Sequence, residues 1–119
     1  MITRFATVTL WVEDFNNAIR FYHDILGLEL LIQPGEMPHF KAGDGILVLA
    51  KGKFTPPANA FPPEFPQLAL AVDDLDRMVA HLQSLHVNLE VNIQERRDSC
   101  WIKLRDPDGN LIELVEVKP

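Results

Sequence analysis

Val8-Thr-Leu-Trp-Val-Glu-Asp-Phe15 and Leu68-Ala-Leu-Ala-Val-Asp-Asp-Leu75 stand sixty residues apart and carry the same pattern. Each begins as an alternation of side chains, which is the signal of a β-strand with two different faces. Each then ends in two acidic residues, and the second of these, Asp14 or Asp74, sits at the mouth of a helical pattern. Aspartate suits that place because its carboxylate accepts a backbone N–H that the first helical turn leaves without a partner. The helical patterns also match. Phe15, Ala18, Ile19, Tyr22, Ile25 and Leu26 share one face in the first copy, and Leu75, Met78, Val79, Leu82 and Leu85 in the second. Both predict an amphipathic helix laid on a flat surface. Gly27 suits a left-handed C-cap for the first, while His86-Val87-Asn88 closes the second less cleanly.

After each helix the pattern turns to short strands. Residues 28–33, 37–42 and 45–51 are expected to form them in the first copy, and residues 89–96, 99–105 and 110–117 in the second. Asp106-Pro-Asp-Gly-Asn110 is a strong tight-turn sequence, with proline presetting φ and glycine open to φ > 0. The stretch 51–66 holds five of the nine prolines, so it is neither helix nor central strand. Its phenylalanines, Phe54, Phe61 and Phe65, suggest a linker that packs on the body, the alternative being an exposed loop. The expected fold is α+β: two tandem βαβββ modules, residues 1–51 and 66–119, joined by a linker over 52–65. Each module is a four-stranded sheet carrying one helix, and the two sheets curve around a shared cavity.

Composition narrows the function. The 119 residues are 47% hydrophobic and 24% charged, enough apolar material for one small folded unit and too much for disorder. No apolar run reaches the ~18 residues of a membrane span, and the first residues lack the features of a signal peptide. Eleven basic against seventeen acidic side chains give a net charge of −6, which argues against nucleic acid as the main partner. The single cysteine, Cys100, excludes an internal disulfide framework and a cysteine-rich zinc site, so a reducing cytoplasm is the expected compartment.

Alternation also sorts side chains by face. Val8, Leu10 and Val12 are expected to face the first helix, leaving Thr7, Thr9 and Trp11 on the open side. In the second copy Leu68, Leu70 and Val72 face the helix, with Gln67, Ala69 and Ala71 opposite. The same rule puts His39, Ile46, Val48 and Ala50 on the open face of the first sheet. Trp101, Lys103, Leu111, Glu113 and Val115 take that face in the second, and Cys100 lies buried toward its helix. A mostly apolar cavity with two tryptophans and a few polar groups is the profile of a small-molecule site. Glu113 interrupts an apolar run, and a carboxylate there is costly unless solvated, paired or bound. It is either functional or paired with Lys103 or Arg105. His23 and His81 fall on polar helix faces and His86 at a helix end, as surface histidines do.

The stretches Val8-Thr-Leu-Trp-Val-Glu-Asp-Phe-Asn-Asn-Ala-Ile-Arg-Phe-Tyr22 and Trp101-Ile-Lys-Leu-Arg-Asp-Pro-Asp-Gly-Asn-Leu-Ile-Glu-Leu-Val-Glu116 resemble the vicinal oxygen chelate superfamily. It includes glyoxalase I, bleomycin-resistance proteins, fosfomycin-resistance enzymes and extradiol dioxygenases. The resemblance spans nearly the whole chain and implies paired βαβββ modules, often completed by dimerisation. It also implies that a metal, where one is used, takes ligands from the first and last strands of the modules. Those places fall on Thr7, Val48, Gln67 and Glu113. Glu113 matches the family carboxylate and Gln67 is acceptable, with His39 a weaker third donor. Thr7 and Val48 depart from the pattern, since valine coordinates nothing and a threonine hydroxyl is a poor ligand. Zinc, nickel, manganese or iron is the divalent ion such a site would take.

Two readings of function follow. In the first, the chain is a small-molecule-binding protein with a degraded metal site, its ligand held in the inter-module cavity. Thr7, Thr9, Trp11, His39, Val48, Gln67, Trp101, Lys103 and Glu113 are then the candidate contacts, with the tryptophans stacking on the ligand. In the second, the chain is a glyoxalase I-like lyase or isomerase, or a dioxygenase, with Glu113 as metal ligand or catalytic base. The run Arg96-Arg97 with Lys103 and Arg105 is a local basic cluster, read either as an attractor for an anionic substrate or as a solvated strand edge. A homodimer is the expected assembly.

Overall fold

The computed structural model describes residues 1–31, 37–53 and 66–118. The chain divides into two compact units, Met1–Pro62 and Pro63–Pro119. The division falls in the stretch read as a linker, and residues 54–65, with Phe54, Phe61 and Phe65, lie outside the described part.

In the first unit β1 (Thr7–Val12) leads into α1 (Phe15–Ile19), followed by β2 (Glu29–Leu30), β3 (His39–Ala42) and β4 (Gly45–Lys51). The sheet order is β1-β4-β3-β2, with β1 parallel to β4 and the other pairings antiparallel. Asp14 caps the helix as expected, its Oδ1 accepting from Asn16 N–H at 2.8 Å and Asn17 N–H at 3.3 Å. The helix is not α throughout. Arg20–Ile25 form a π-helical turn, and Leu26 N–H donates to Phe21 O at 2.9 Å, five residues back. The widened turn shifts the ending by one residue, so Leu28 N–H reaches Tyr22 O rather than His23 O. Gly27 sits at φ +83, the left-handed cap its sequence position suggested. His23, read as a surface residue, is half-exposed but holds Leu28 O through Nδ1 at 2.8 Å. A carbonyl only accepts, so Nδ1 carries the proton.

The core of this unit is the helix laid on the Leu10, Val12, Phe40, Leu47 and Leu49 face. Tyr22 is fully buried, with its ring 5.1 Å from Phe21 and 5.9 Å from Phe40. The edge of the expected helix face frays at Val8, which is 36% exposed.

The second unit repeats the plan. β5 (Leu68–Ala71) leads into α2 (Leu75–Ser84), then β6 (Leu89–Glu95), β7 (Ser99–Arg105) and β8 (Leu111–Val117), in the order β5-β8-β7-β6. Asp74 Oδ1 accepts from Arg77 N–H at 3.0 Å, and Glu116 Oε1 accepts from Leu75 N–H at 2.8 Å. Two carboxylates from different elements thus satisfy the start of one helix, which pins it to the last strand. At its other end Val87 N–H bonds Leu82 O and His86 N–H bonds Gln83 O, with His86 at φ 59. This is the same left-handed ending that glycine normally serves, here on a histidine. Leu75, Leu82, Ile102, Leu104, Ile112 and Leu114 form the core, with Cys100 buried beside them as expected.

The turn between β7 and β8 is built on Asp106, which is 5% exposed. Its Oδ1 accepts from the N–H of Asp108 and of Asn110, and its Oδ2 from Asn110 Nδ2, all at 2.8–2.9 Å. Gly109 supplies the required positive φ, at +85.

Candidate functional site

Strand register fixes which side chains share a face, because residues paired across neighbouring strands point the same way. In the first sheet Thr9 pairs with Val48 and Val48 with His39; Thr7 pairs with Ile46 and Trp11 with Ala50. All lie on the side away from Phe40 and Leu47, which is the open face. The expected sorting of Thr7, Thr9, Trp11, His39 and Val48 therefore agrees with the register. His39 Nδ1 lies 2.9 Å from Met37 O and donates to it, which leaves Nε2 as its acceptor nitrogen. Trp11 is 51% exposed. Its ring lies over Gly52, where a Cβ would come within 2.6 Å of the indole, so only glycine leaves it room.

In the second sheet Ala69 pairs with Glu113, Glu113 with Lys103, and Trp101 with Val115. Trp101, Lys103, Glu113 and Val115 line one hollow of about 340 Å³ together with Arg96 and Ser99. That volume lies within the range of small-molecule pockets. Arg96 lies over Trp101, its Cζ 5.4 Å from the ring centroid, a cation–π arrangement. Neither Arg96 nor Ser99 stood among the candidate contacts. The Arg96-Arg97 run was the available signal for the first; nothing in the sequence marks Ser99.

Glu113 is half-buried, and no hydrogen bond or ion pair to it occurs among the described residues. The pairing with Lys103 or Arg105 that its sequence position allowed does not occur among the described residues, and Arg105 Nη1 donates instead to Gly109 O at 2.9 Å. Gln67 is placed differently from a free side-chain donor. Its Oε1 accepts from Leu111 N–H at 2.8 Å, while its own N–H donates to Leu111 O, so the residue extends the β5–β8 ladder.

The donor set can be weighed against a metal on this geometry. Val48 has no donor atom, Thr7 offers a hydroxyl, and the Gln67 amide oxygen is already engaged. Among the described residues no three of histidine, cysteine, aspartate and glutamate are grouped so as to hold an ion. A catalytic metal normally takes about three protein ligands. The described residues do not fit that group. No helix among the described residues is long and apolar enough to cross a membrane.

Comparison with known proteins agrees with this architecture. Residues 4–114 match the model of the Glyoxalase/Bleomycin resistance protein/Dioxygenase superfamily. The chain is 32% identical to the uncharacterized protein YaeR of Escherichia coli, over 92% of each chain. It is 29% identical to the metallothiol transferase FosB of Staphylococcus epidermidis, over 95% of this chain and 81% of that one. Among solved structures it resembles TnmS3, an antibiotic binding protein from a Streptomyces species, with a TM-score of 0.79, 28% identity and 98% of both chains covered. The family match over most of the chain, on two βαβββ modules with matching registers, establishes that this protein belongs to the glyoxalase, bleomycin-resistance and dioxygenase superfamily.

Proposed function

We propose that the chain is a small-molecule-binding protein of the glyoxalase/bleomycin-resistance type. The observation that carries this is the hollow on the open face of the second sheet. Trp101 gives it an aromatic wall, Lys103 and Glu113 stand opposite one another on neighbouring strands, and the Glu113 carboxylate has no partner among the described residues. The lining is more polar than the apolar cavity expected from the sequence, with Arg96, Ser99, Lys103 and Glu113 set around Trp101 and Val115, and such convergent polar groups orient a ligand without requiring turnover. Thr7, Thr9, Trp11, His39 and Val48 are the proposed contacts of the first module. The proposal includes a homodimer in a reducing cytoplasm. Tryptophan fluorescence across a panel of neutral, anionic and cationic aromatic compounds tests the reading: saturable quenching by at least one is expected, and none by any overturns it. A mass of one chain by light scattering at micromolar concentration would overturn the dimer.

The Glu113 carboxylate, without a partner among the described residues, also favours a second reading, a family lyase or dioxygenase in which Glu113 is a base or metal ligand. Calorimetric titration of chelator-treated protein with Ni²⁺, Zn²⁺, Mn²⁺ and Fe²⁺ separates the two. Stoichiometric binding that Glu113→Gln abolishes would favour the enzyme, and its absence the binding protein.

A further inference from the structure

The described glycines answer different needs. Gly27, Gly43 and Gly109 sit at positive φ, where the backbone itself asks for glycine. Gly52 does not. What calls for glycine there is room. A Cβ would lie 2.6 Å from Trp11 Cε3 and 2.9 Å from Cζ3, well inside the ~3.5–4.0 Å at which carbons make contact. The three nearest atoms to that Cβ all belong to the indole. The backbone has little freedom to back away. Gly52 N–H donates to Val12 O at 2.9 Å, which carries the β1–β4 ladder one step beyond Lys51. Just past it, Lys53 Nζ lies 3.9 Å from Glu13 Oε1 and bridges the same two strand ends.

The second unit holds the complementary arrangement. In the first sheet Trp11 pairs with Ala50, and Gly52 follows two residues on, in the alternation of the same face. At the equivalent places of the second sheet Ala71 pairs with Val115, and Val117 follows. One unit sets a large side chain on its first strand against small residues on its last. The other sets an alanine against two valines. Opposite changes of size at facing positions of one scaffold keep the packed volume constant, which marks Trp11 and Gly52 as a matched pair.

We propose that Gly52 is the positioning residue for Trp11. The bare backbone after β4 seats the indole in one orientation on the open face of the first sheet, so that this unit's aromatic contact is ordered before a ligand arrives. The use of that contact rests on the binding reading above, whereas the pairing of the two residues does not. Trp11 stays half-exposed while its ring lies against Gly52. A side chain ordered in advance loses less conformational freedom on binding than one the ligand must order.

The test uses the full chain. In a Trp101→Phe background, where Trp11 alone reports, Gly52→Ala should shift the emission maximum. With both tryptophans present, Gly52→Ala should weaken binding of benzamide, benzoate or benzylammonium by about threefold to tenfold, read by calorimetry. In Trp11→Ala the same substitution should leave the affinity unchanged, which separates positioning from a general loss of structure. Gly52→Val should lower the melting midpoint by about 5 °C or more in the parent. It should cost far less in Trp11→Ala, where the alanine and valine of the second unit are restored. Equal melting losses in the two backgrounds, or an unmoved emission maximum, overturn the assignment of Gly52. A probe affinity that survives Gly52→Ala overturns the ordered contact, as does binding of another panel compound but none of these three, and the binding reading then stands. If nothing in the panel binds, the binding reading and the ordered contact both fall.

Discussion

Across the first sheet Thr9, Val48 and His39 stand side by side on three strands; across the second the same three places hold Ala69, Glu113 and Lys103. The strand order and directions are the same in both, yet one row is nearly uncharged and the other sets a carboxylate and an ammonium at neighbouring register positions without an ion pair to Glu113 among the described residues. The difference extends along the face. Trp11 of the first sheet matches Ala71 of the second, while Trp101 of the second falls where the first has Met37. A duplicated scaffold thus keeps its hydrogen-bond ladder and helix-facing core, and lets the open face diverge. The ladder is made by backbone groups and tolerates any side chain that fits the pleat. The core must fill a fixed volume.

The core positions offer the largest test of that parity. Phe40 and Leu104 occupy matching places and are 0% and 1% exposed. Phe40→Ala should cost about 3–5 kcal/mol and Leu104→Ala about 2–5, read from urea unfolding. If Leu104→Ala costs as much as Phe40→Ala, the Tyr22–Phe40 ring contact adds nothing beyond burial.

Exchanging the open faces should be asymmetric. Val48 is 7% exposed, so Val48→Glu buries a carboxylate without an obvious partner and should cost roughly 3 kcal/mol. Glu113→Val removes a half-buried charge that has no partner among the described residues and should stay within about 1 kcal/mol of the parent. Equal losses in thermal or urea unfolding would mean that the two faces are not tuned to their own chemistry.

The turns come next. Asp106→Ala leaves three donors of the β7–β8 turn without their acceptor and should cost about 2–3 kcal/mol. Asp44, in the tight Gly43-Asp44 turn joining β3 to β4, is exposed, and Asp44→Ala should change stability by less than about 0.5 kcal/mol. The smallest contrast is at the helix starts. Asp14→Ala should cost about 1 kcal/mol, and Asp74→Ala less, because Glu116 still holds Leu75 N–H at the start of α2. A larger loss for Asp74→Ala would show that the two carboxylates act as one unit.

Much of this was legible in the chain. The repeat, both aspartate caps, the Gly27 ending, and β4 and β7 with their bounds follow from alternation and turn chemistry. The π-helical turn did not, because a widened turn keeps an apolar face and changes only the hydrogen-bond ladder. β2 is shorter than its apolar run, with pairing described only at Glu29 and Leu30, and residues 32–36 lie outside the described part. Gln67 was readable as a polar residue on the open face, but not as the acceptor for Leu111, since that bond joins residues 44 apart. Arg96 was readable as a charge and not as a lid on Trp101, because a turn residue obeys no facial alternation.

By itself the sequence determined the two modules, their order of elements and which strand residues share a face, since these follow from local periodicity and backbone geometry. Only the tertiary structure decided that Glu116 caps α2, that Gln67 closes a strand ladder, and that Arg96 and Lys103, alone of four neighbouring cations, meet at one hollow. Those outcomes depend on the register between strands distant in sequence, which no local pattern encodes.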